Sequence, residues 1–419
     1  MSQVTHQVDT EKKPAKPTAH FAANHSQIAE ALSIAEFGVA DDVSTSQRGV
    51  LIETSRNRLT LSTYDFKTAV SFTMPAETPV AKGYSLLDFA ETKRTLTAMV
   101  AGETKTIAAR TPVTLKGDLL VTEHISIPIT TLDIHEFSHP PEAVPSMATV
   151  DAQAFLAQLN RVLPAASSDI TLPALNGVQM TLEGETLTMA ATDRYRFAVG
   201  QIPARPTVQP TAKRLASLIP TGVLAPLAKR LKSYDGLIGI GLIDQDDDAP
   251  RATVSMGATT ITMRSLEGIL PKHTSLFPTT CDASVRVDRA TLLRAVKKAS
   301  ALLKAKGKKG SPVTFTFNEN DGLTLAPRVG TAEEQARIKG MSIPATYSHG
   351  TAADRHDTQV SFNPTFLLTA LGTFTGDTLT LHLPMTNHGQ VVKPVLLTDG
   401  PEMTGDAYQH LLMPVRLDS

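Results

Sequence analysis

The sequence predicts an α+β fold made of three similar domains, each with two helices packed on antiparallel sheets. A helix followed by several short strands recurs, with the pattern restarting near residues 146 and 281. Helix-capping residues at 24, 151 and 288 are 127 and 137 residues apart. A Leu-Thr-Leu or Leu-Thr-Met strand motif begins at Leu59, Leu187 and Leu323, with spacings of 128 and 136. These spacings agree within one residue, which favours a true repeat over chance similarity among strands rich in Thr and Leu.

The first copy begins with a helix capped by Asn24 or Ser26, which carries Ile28, Leu32 and Ala35 on one face. Strands are predicted in the segments GVLIETS, RLTLSTYDF and TAVSFTMPA, where apolar and polar residues alternate. A second helix is predicted at about residues 85–99. Further short strands are predicted at KTIAARTP, TLKGD and EHISIPIT.

The second copy begins with a helix capped by Asp151, and its strands start within residues 171–199. Another helix at about residues 223–233 precedes the strands GLIGIGLID, RATVSMG and TTITMRSL. In the third copy, Asp288 caps a helix that leads into VTFTFN, GLTLAPR and GMSIPAT. A helix after Asn363-Pro364 then leads into the strands TLTLHLPM, KPVLLTD and HLLMPVRL.

Two Pro-rich segments separate the copies, HEFSHPPEAV at 135–144 and ILPKHTSLFPTT at 269–280. These linkers and the repeat predict a first domain at 20–145, a second at 146–280 and a third at 281–419. Residues 1–19 are predicted to form a disordered tail. The tail is polar and has no apolar core, so it is not expected to be a signal peptide.

Composition limits the functional classes that fit the chain. The 40 basic and 41 acidic residues give a net charge of −1, which excludes a uniformly basic nucleic-acid binder but permits separate basic and acidic surfaces. A single cysteine, Cys281, excludes an internal disulfide framework and suits a reducing compartment. No segment approaches the roughly 18 apolar residues of a membrane span. We therefore expect a cytoplasmic protein that does not bind a membrane.

Residues 171–199, TLPALNGVQMTLEGETLTMAATDRYRFAV, contain the strongest candidate for a binding site. Val178, Met180 and Leu182 alternate with polar residues, as in a half-buried strand, and a second alternation starts at Leu187. The segment TDRYR then places charges and an aromatic residue between two strands. Such a segment favours binding, although an ordinary hairpin with a solvated tip is the alternative.

The segment HEFSH at 135–139 matches the H-E-x-x-H pattern of zinc peptidases. That chemistry requires His135 and His139 on one helix face as zinc ligands, with Glu136 as the base. Pro140 and Pro141 follow at once and disfavour a helix. The segment GKKGS at 307–311 lacks the spacing of a phosphate-binding loop. The sequence thus predicts no catalytic residues, no metal and no cofactor, and a metallopeptidase is retained as a rival hypothesis.

Basic residues cluster on the predicted helices. Residues 289–310 contain eight basic residues and no acidic one. When the apolar residues of each helix face the sheet, the basic residues predicted to point outward are Arg161, Lys229, Lys232, Arg294, Lys297, Lys298 and Lys304. A solvated charged face is the ordinary explanation for one helix. Several such helices in a neutral chain indicate a basic surface for phosphates.

The layout and motifs together resemble the bacterial DNA polymerase III beta subunit, the DNA sliding clamp. The resemblance covers nearly everything after the tail and is weakest in the first copy. It rests on the second-copy segments AFLAQLNRVLPAASSD, PALNGVQM, LTMAATDRYRFAV and SLEGILPKHTSLFP, and on the C-terminal HLLMPVRL.

The resemblance implies a head-to-tail homodimeric ring of DNA-clamp domains that encircles duplex DNA without reading its sequence. It implies no catalytic activity and no cofactor. The implied partners are a clamp loader, through its delta subunit, the DNA polymerase III alpha subunit, and other polymerases and repair proteins.

The resemblance also implies a pocket that binds a short partner peptide carrying Leu and Phe. The matching positions are Leu175, Thr192, Arg194, Tyr195, Arg196, Phe197, Pro271, Ser275, Leu276, Met413, Pro414, Val415, Arg416 and Leu417. Many relatives have a small residue at the position of Arg194, Leu at that of Phe197 and Arg at that of Ser275. These departures predict a narrower or differently charged pocket. They leave open a clamp paralogue used in repair, by a mobile element or in tolerance of a clamp-directed inhibitor.

Overall fold

The computed structural model describes residues 18–39, 42–169, 171–207, 214–244, 247, 249–318, 322–349, 358–384, 391, 393–405 and 407–416. Leu417 and residues 1–17 of the predicted tail lie outside these ranges. Within the described residues, no helix combines the length and the apolar character needed to cross a membrane.

The first copy is an α+β segment in which strands flank three helices. Its elements are β1 (His20–Asn24), α1 (His25–Ala35), β2 (Gly49–Tyr64), β3 (Thr68–Asp88), α2 (Phe89–Ala98), α3 (Lys105–Arg110), β4 (Pro112–Lys116), β5 (Leu119–Val121) and β6 (Ser126–Pro128).

The second copy opens with a strand that leads into the predicted helix. Its elements are β7 (Ala148–Asp151), α4 (Ala152–Val162), β8 (Gly177–Glu183), β9 (Thr186–Thr192), β10 (Arg196–Pro203), β11 (Arg205–Pro206), β12 (Leu215–Pro220), α5 (Thr221–Leu231), β13 (Leu237–Leu242), β14 (Arg251–Met256), β15 (Thr259–Arg264) and the one-turn α6 (His273–Leu276).

The third copy has the same opening and ends with a strand. Its elements are β16 (Ala283–Asp288), α7 (Arg289–Ala305), β17 (Val313–Asn318), β18 (Gly322–Pro327), the short α8 (Ala332–Ala336), β19 (Met341–His349), β20 (Gln359–Phe362), α9 (Pro364–Thr373), β21 (Thr378–Leu383), β22 (Val395–Thr398) and β23 (Tyr408–Leu412).

The predicted helix caps at the start of each copy are confirmed. The Asp151 carboxylate accepts a hydrogen bond from the Ala154 amide at 2.8 Å, and Asp288 accepts one from the Thr291 amide at 2.7 Å. Asn24 immediately precedes α1, whose first turn is closed by a hydrogen bond from the Asn24 amide to the Gln27 side chain at 3.0 Å. Each cap satisfies helix-end groups that would otherwise lack a partner.

In the first copy, the start of one predicted helix and the type of one predicted strand are wrong. The helix expected at 85–99 starts at Phe89, because residues 85–88 continue β3 and the Asp88 carboxylate caps α2 through the Glu91 amide at 2.7 Å. The segment KTIAARTP, expected to be a strand, begins with α3, which Thr104 precedes as its cap. Two consecutive alanines favour a helix there, whereas the strand prediction rested on only a few alternating residues.

The chain forms two compact units, and the first comprises Met1–Ala143 together with Thr253–Arg264. One of its sheets has the order β1-β4-β5-β6, and β15, β3 and β2 are neighbours in another. The segments GVLIETS and RLTLSTYDF, predicted as separate strands, form the single strand β2 with register shifts around Arg56. Helix α1 buries Ile28 and Leu32 against β2 and β3.

The second unit comprises Val144–Ala252 and Ser265–Ser419. Among its described residues, one continuous strand order runs β12-β8-β9-β10-β23-β22-β21-β16-β19-β18-β17-β20. Helix α4 packs on β9 and β10, α7 packs on β18, and α9 packs on α7 and β23. Antiparallel pairing of β10 with β23 brings residues 192–197 beside the last strand of the chain. The three predicted domain boundaries remain a prediction.

Candidate functional site

A cavity of about 280 Å³ opens in the second unit at the ends of β10 and β23. Its lining is mostly apolar, with two arginines. The lining residues are Leu175, Thr192, Arg194, Tyr195, Arg196, Phe197, Pro271, Leu276, Pro394, Leu411 and Met413. A concave apolar surface with a few polar groups is the usual form of a site for a small ligand or a short peptide.

Residues 192–197, which we call the 192–197 turn, form one wall of the cavity. The Thr192 hydroxyl donates to the Arg196 carbonyl at 2.7 Å. The Asp193 carboxylate accepts hydrogen bonds from the Tyr195 and Arg196 amides, each at 3.0 Å, and from Arg196 Nε at 2.9 Å. Asp193 therefore fixes both the backbone and one arginine side chain, which explains why the charged segment ends β9 in a defined shape.

Phe366 of α9 supports this wall from the third copy. Its ring stacks on Tyr195 with centroids 5.4 Å apart and an interplanar angle of 18°. The Arg196 guanidinium lies 5.1 Å from the centre of the same ring. Tyr195 remains 52% exposed, so its ring edges the cavity and offers a flat apolar contact to a ligand.

The floor of the cavity is made by Phe197 and Leu411, which are direct partners in the β10–β23 register. Both are buried in a cluster with Ala190, Val199 and Leu396. Phe277, just after α6, packs edge-on against Phe197 at 5.7 Å. The floor is therefore continuous with the core of the second unit, which fixes the shape of the cavity.

The C-terminal segment closes the opposite side. The Met413 amide donates to the Tyr195 carbonyl at 2.8 Å, and the Val415 amide donates to the Ser361 carbonyl at 2.7 Å. Met413 stays 40% exposed at the mouth. These backbone hydrogen bonds hold residues 413–415 between the 192–197 turn and β20.

The structure brings most of the predicted pocket residues together, with exceptions. Ser275 is exposed outside the lining and donates to the Lys272 carbonyl at 2.8 Å. Pro414 is buried, Val415 and Arg416 are exposed, and none of the three lines the cavity. Leu417 lies outside the described residues.

Sequence reasoning missed two lining residues, Pro394 and Leu411. Leu411 belongs to the HLLMPVRL segment, but its side chain reaches the floor only through the pairing of β10 with β23. Alternation within β23 could have indicated burial, but not the identity of its neighbour. Pro394 directly precedes β22 and carries no periodic signal.

Charge at the cavity is positive. Among the described lining residues there is no carboxylate, whereas Arg194 and Arg196 both contribute. Hydrogen bonds from Thr171 lower the pKa of nearby Asp169, and the charge of Arg194 adds a smaller effect in the same direction. On α6, burial lowers the pKa of His273, and the charge of Arg214 lowers it further. Both effects favour the neutral form of His273.

The basic residues predicted on α5 and α7 point outward. Lys229, Lys232, Arg294, Lys297, Lys298 and Lys304 are exposed. On α7 the opposite side buries Leu292, Val296, Ala299 and Leu303. One helix face is thus apolar toward the sheet and another is cationic toward solvent.

The prediction that Arg161 points outward with these residues is wrong. Its guanidinium pairs with Asp399 at 2.5 Å and lies 3.9 Å from the centre of the Tyr408 ring. The Tyr408 hydroxyl also donates to the Arg161 carbonyl at 3.0 Å. Asn160, rather than Arg161, is exposed on this turn of α4. Arg161 lies in the last turn of α4, and the carboxylate of Asp399 in the third copy neutralises its charge.

The metallopeptidase hypothesis lacks its geometry. Residues 134–137 form a turn and a bend, and neither Ser138 nor His139 is helical, so the H-E-x-x-H pattern does not place two histidines on one helix face. Phe137 is buried against Leu51 and Leu86, and Glu136 accepts a hydrogen bond from Ser46 at 2.9 Å. These contacts give the HEFSH segment a structural role in packing the first unit. Among the described residues, no group of three His, Cys, Asp or Glu side chains is placed to hold a metal ion.

Comparison with known proteins agrees with the fold. A family profile described as the DNA polymerase III beta subunit, central domain, matches residues 149–272. The beta sliding clamp of Streptomyces coelicolor is 29% identical over 390 residues, covering 88% of this chain and 91% of that protein. The beta sliding clamp of Micrococcus luteus is 31% identical over 303 residues, covering 71% of this chain and 89% of that protein.

The fold is shared with a solved structure, the DNA polymerase III subunit beta from Pseudomonas aeruginosa. The two superpose with a TM-score of 0.77 at 19% identity, covering 95% of this chain and all of the other. The α+β prediction of repeated clamp domains is therefore confirmed. Since the Micrococcus luteus relative exceeds 30% identity over most of its length, this chain belongs to the DNA polymerase III beta subunit family, the beta sliding clamps.

Proposed function

We propose that the protein is a processivity factor that encircles duplex DNA as a head-to-tail homodimeric ring and tethers the replicative polymerase. The observation that carries this proposal is the apolar cavity at the meeting of the 192–197 turn with the C-terminal segment. Its lining suits a short extended peptide with one or two large apolar side chains.

The partners proposed for this cavity are peptides of the DNA polymerase III alpha subunit, of the clamp loader delta subunit and of other polymerases and repair proteins. One shared site makes these partners compete, so the clamp exchanges them without changing its grip on DNA. The protein needs no catalytic residues for this role, and the proposal places it in the cytoplasm with the replication machinery.

Duplex DNA is proposed to pass the exposed basic residues of α5 and α7. Support comes from Lys229, Lys232, Arg294, Lys297, Lys298 and Lys304, which are exposed on helices whose other side is buried. Lysine and arginine contacts to phosphates bind DNA without sequence preference. Arg161 is not included, because Asp399 already neutralises it.

The test removes residues 413–419 and measures binding of a labelled polymerase peptide by fluorescence anisotropy. Met413 lines the cavity and its amide anchors the segment to Tyr195, so the truncation opens one side of the site. We expect affinity to fall at least tenfold, while light scattering still reports a dimer. Unchanged affinity in the truncated protein would reject the assignment of this cavity as the partner site.

A further inference from the structure

The cavity contains more positive charge than an apolar peptide requires. Its large lining residues, such as Phe197, Leu276 and Leu411, suit apolar anchors. Two arginines stand among them, and no carboxylate does within the described lining. The Thr192 hydroxyl donates to the Arg196 carbonyl and accepts from the Arg194 amide at 3.2 Å, and the exposed Tyr195 adds a neutral hydroxyl. The charged groups that the described lining offers to a ligand are therefore all cationic donors.

Arg196 has one side-chain nitrogen without a hydrogen-bond partner inside the wall. Its side chain is only 10% exposed, and Nε is bound to Asp193 at 2.9 Å. Its Nη1 is buried and makes no hydrogen bond within the described part of the chain. A buried donor without an acceptor destabilises the free wall of the cavity, and an acceptor placed against it relieves that cost.

Arg194 holds a second donor group at the mouth. Its backbone has φ of +78°, a left-handed conformation that glycine adopts with least strain. Across the described residues, its guanidinium makes no hydrogen bond or ion pair. The charge of Arg194 acts on Asp169, whose Oδ1 is already bound by the Thr171 amide and hydroxyl at 3.0 and 2.7 Å. The backbone conformation thus places a cationic side chain in the cavity lining, and that side chain forms no ion pair with the described residues.

We propose that the cavity selects peptides in which an aspartate or glutamate lies next to the apolar anchor, and that Arg194 is the residue that sets this selectivity. The inference rests on the proposed peptide-binding function and names the chemistry of the partner. Arg194 receives the carboxylate at the mouth through a bidentate contact, which lysine does not reproduce.

The experiment uses the full-length protein and two labelled peptides with the same Leu/Phe anchor, one with Asp and one with Asn beside it. Both peptides are amidated at the C-terminus, so that the side chain is their only differing carboxylate. Affinities are measured by anisotropy for the unmodified chain, Arg194→Gln and Arg194→Lys. We expect the unmodified chain to prefer the Asp peptide about tenfold, Arg194→Gln to lose this preference, and Arg194→Lys to keep only part of it.

Lys272→Gln provides the matched control, because Lys272 is an exposed cation just before α6 that does not line the cavity. Its preference for the Asp peptide should equal that of the unmodified chain. A preference that survives Arg194→Gln, or that falls equally in Lys272→Gln, removes the role of Arg194. Equal affinity of the two peptides for the unmodified chain overturns the inference but leaves the peptide site in place. If neither peptide binds, the proposed function itself fails, and the inference fails with it.

Discussion

The backbone of Arg194 has a strained conformation, and its side chain lines the cavity. A non-glycine residue in the left-handed region costs roughly 1–2 kcal/mol. The conformation is imposed locally, because Thr192 accepts from the Arg194 amide and Asp193 accepts from the next two amides. The strain therefore persists in the free protein and does not await a ligand.

We predict that Arg194→Gly stabilises the protein by about 0.5–1 kcal/mol, since glycine relieves the strain but gains entropy in the unfolded chain. The measurement is the free energy of unfolding in urea. The control is Lys297→Gly, an exposed position in the interior of α7, where glycine should destabilise by about 1 kcal/mol. If both variants shift stability in the same direction, backbone strain at Arg194 is not the cause.

His410 predicts a loss of stability in acid. It is fully buried, and burial lowers its pKa to about 3, with the charges of Arg196 and Arg161 acting in the same direction. Its Nδ1 lies 2.9 Å from the Tyr408 hydroxyl, and its Nε2 has no hydrogen-bond partner among the described residues. An added proton on this ring would therefore be buried beside two cations without an acceptor.

The unfolded chain takes up this proton near pH 6.5, whereas the folded chain resists it until about pH 3. Stability is thus lost as pH falls through this window, by up to about 1.4 kcal/mol per pH unit, or about 2 kcal/mol at pH 5. Urea unfolding at several pH values measures the slope. His410→Gln should lower stability at pH 7 but give a shallower slope between pH 6.5 and 4, and an identical slope would exclude His410 as its source.

At the scale of elements, α4 and α7 were both predicted to turn basic residues outward, but their basic residues have different environments. Lys298 is exposed on α7, whereas Arg161 near the end of α4 pairs with Asp399. We predict that Lys298→Gln reduces the salt dependence of duplex DNA binding. The slope of log K against log salt should fall by about 0.9 for each phosphate that the variant no longer neutralises.

The matched variant Arg161→Gln should leave that slope unchanged while destabilising the fold, because it leaves Asp399 without its partner. Titration of a labelled duplex at four salt concentrations measures both slopes, and circular dichroism confirms that each variant is folded. A reduced slope in Arg161→Gln would restore Arg161 to the DNA-contacting set.

Local signals predicted the elements well where one short-range interaction decides them. Asp151 and Asp288 cap their helices through amides three residues ahead, so the sequence alone reveals these starts. The KTIAARTP segment was misread because its few alternating residues cannot separate a strand from one turn of helix. Arg161 was misplaced because its partner lies 238 residues away, beyond any periodicity within α4.

The candidate site likewise has one part fixed by local contacts and another fixed by long-range contacts. The 192–197 turn is visible in the sequence, because its shape is fixed by its own Thr192 and Asp193. The floor and the opposite side depend on the pairing of β10 with β23 and on the amide of Met413, which are long-range contacts. Family resemblance supplied Met413, but neither resemblance nor pattern supplied Leu411 and Pro394.

At the scale of the whole molecule, three repeated clamp domains in one chain predict closure by two copies. A head-to-tail contact uses two different surfaces of the chain, and it forms a ring when the rotation closes and a filament when it does not. The proposed ring contains two chains, so we expect a defined dimer rather than a series of larger species.

We predict a mass of twice 44.8 kDa by gel filtration with light scattering, independent of concentration across the micromolar range. Substitutions inside the cavity, such as Phe197→Ala, should weaken peptide binding without changing this mass, because Phe197 is buried within the second unit rather than on its surface. A stable monomer at micromolar concentration would count against the ring, since an open single chain has no topological hold on DNA. A mass that rose steadily with concentration would instead indicate a head-to-tail contact that fails to close.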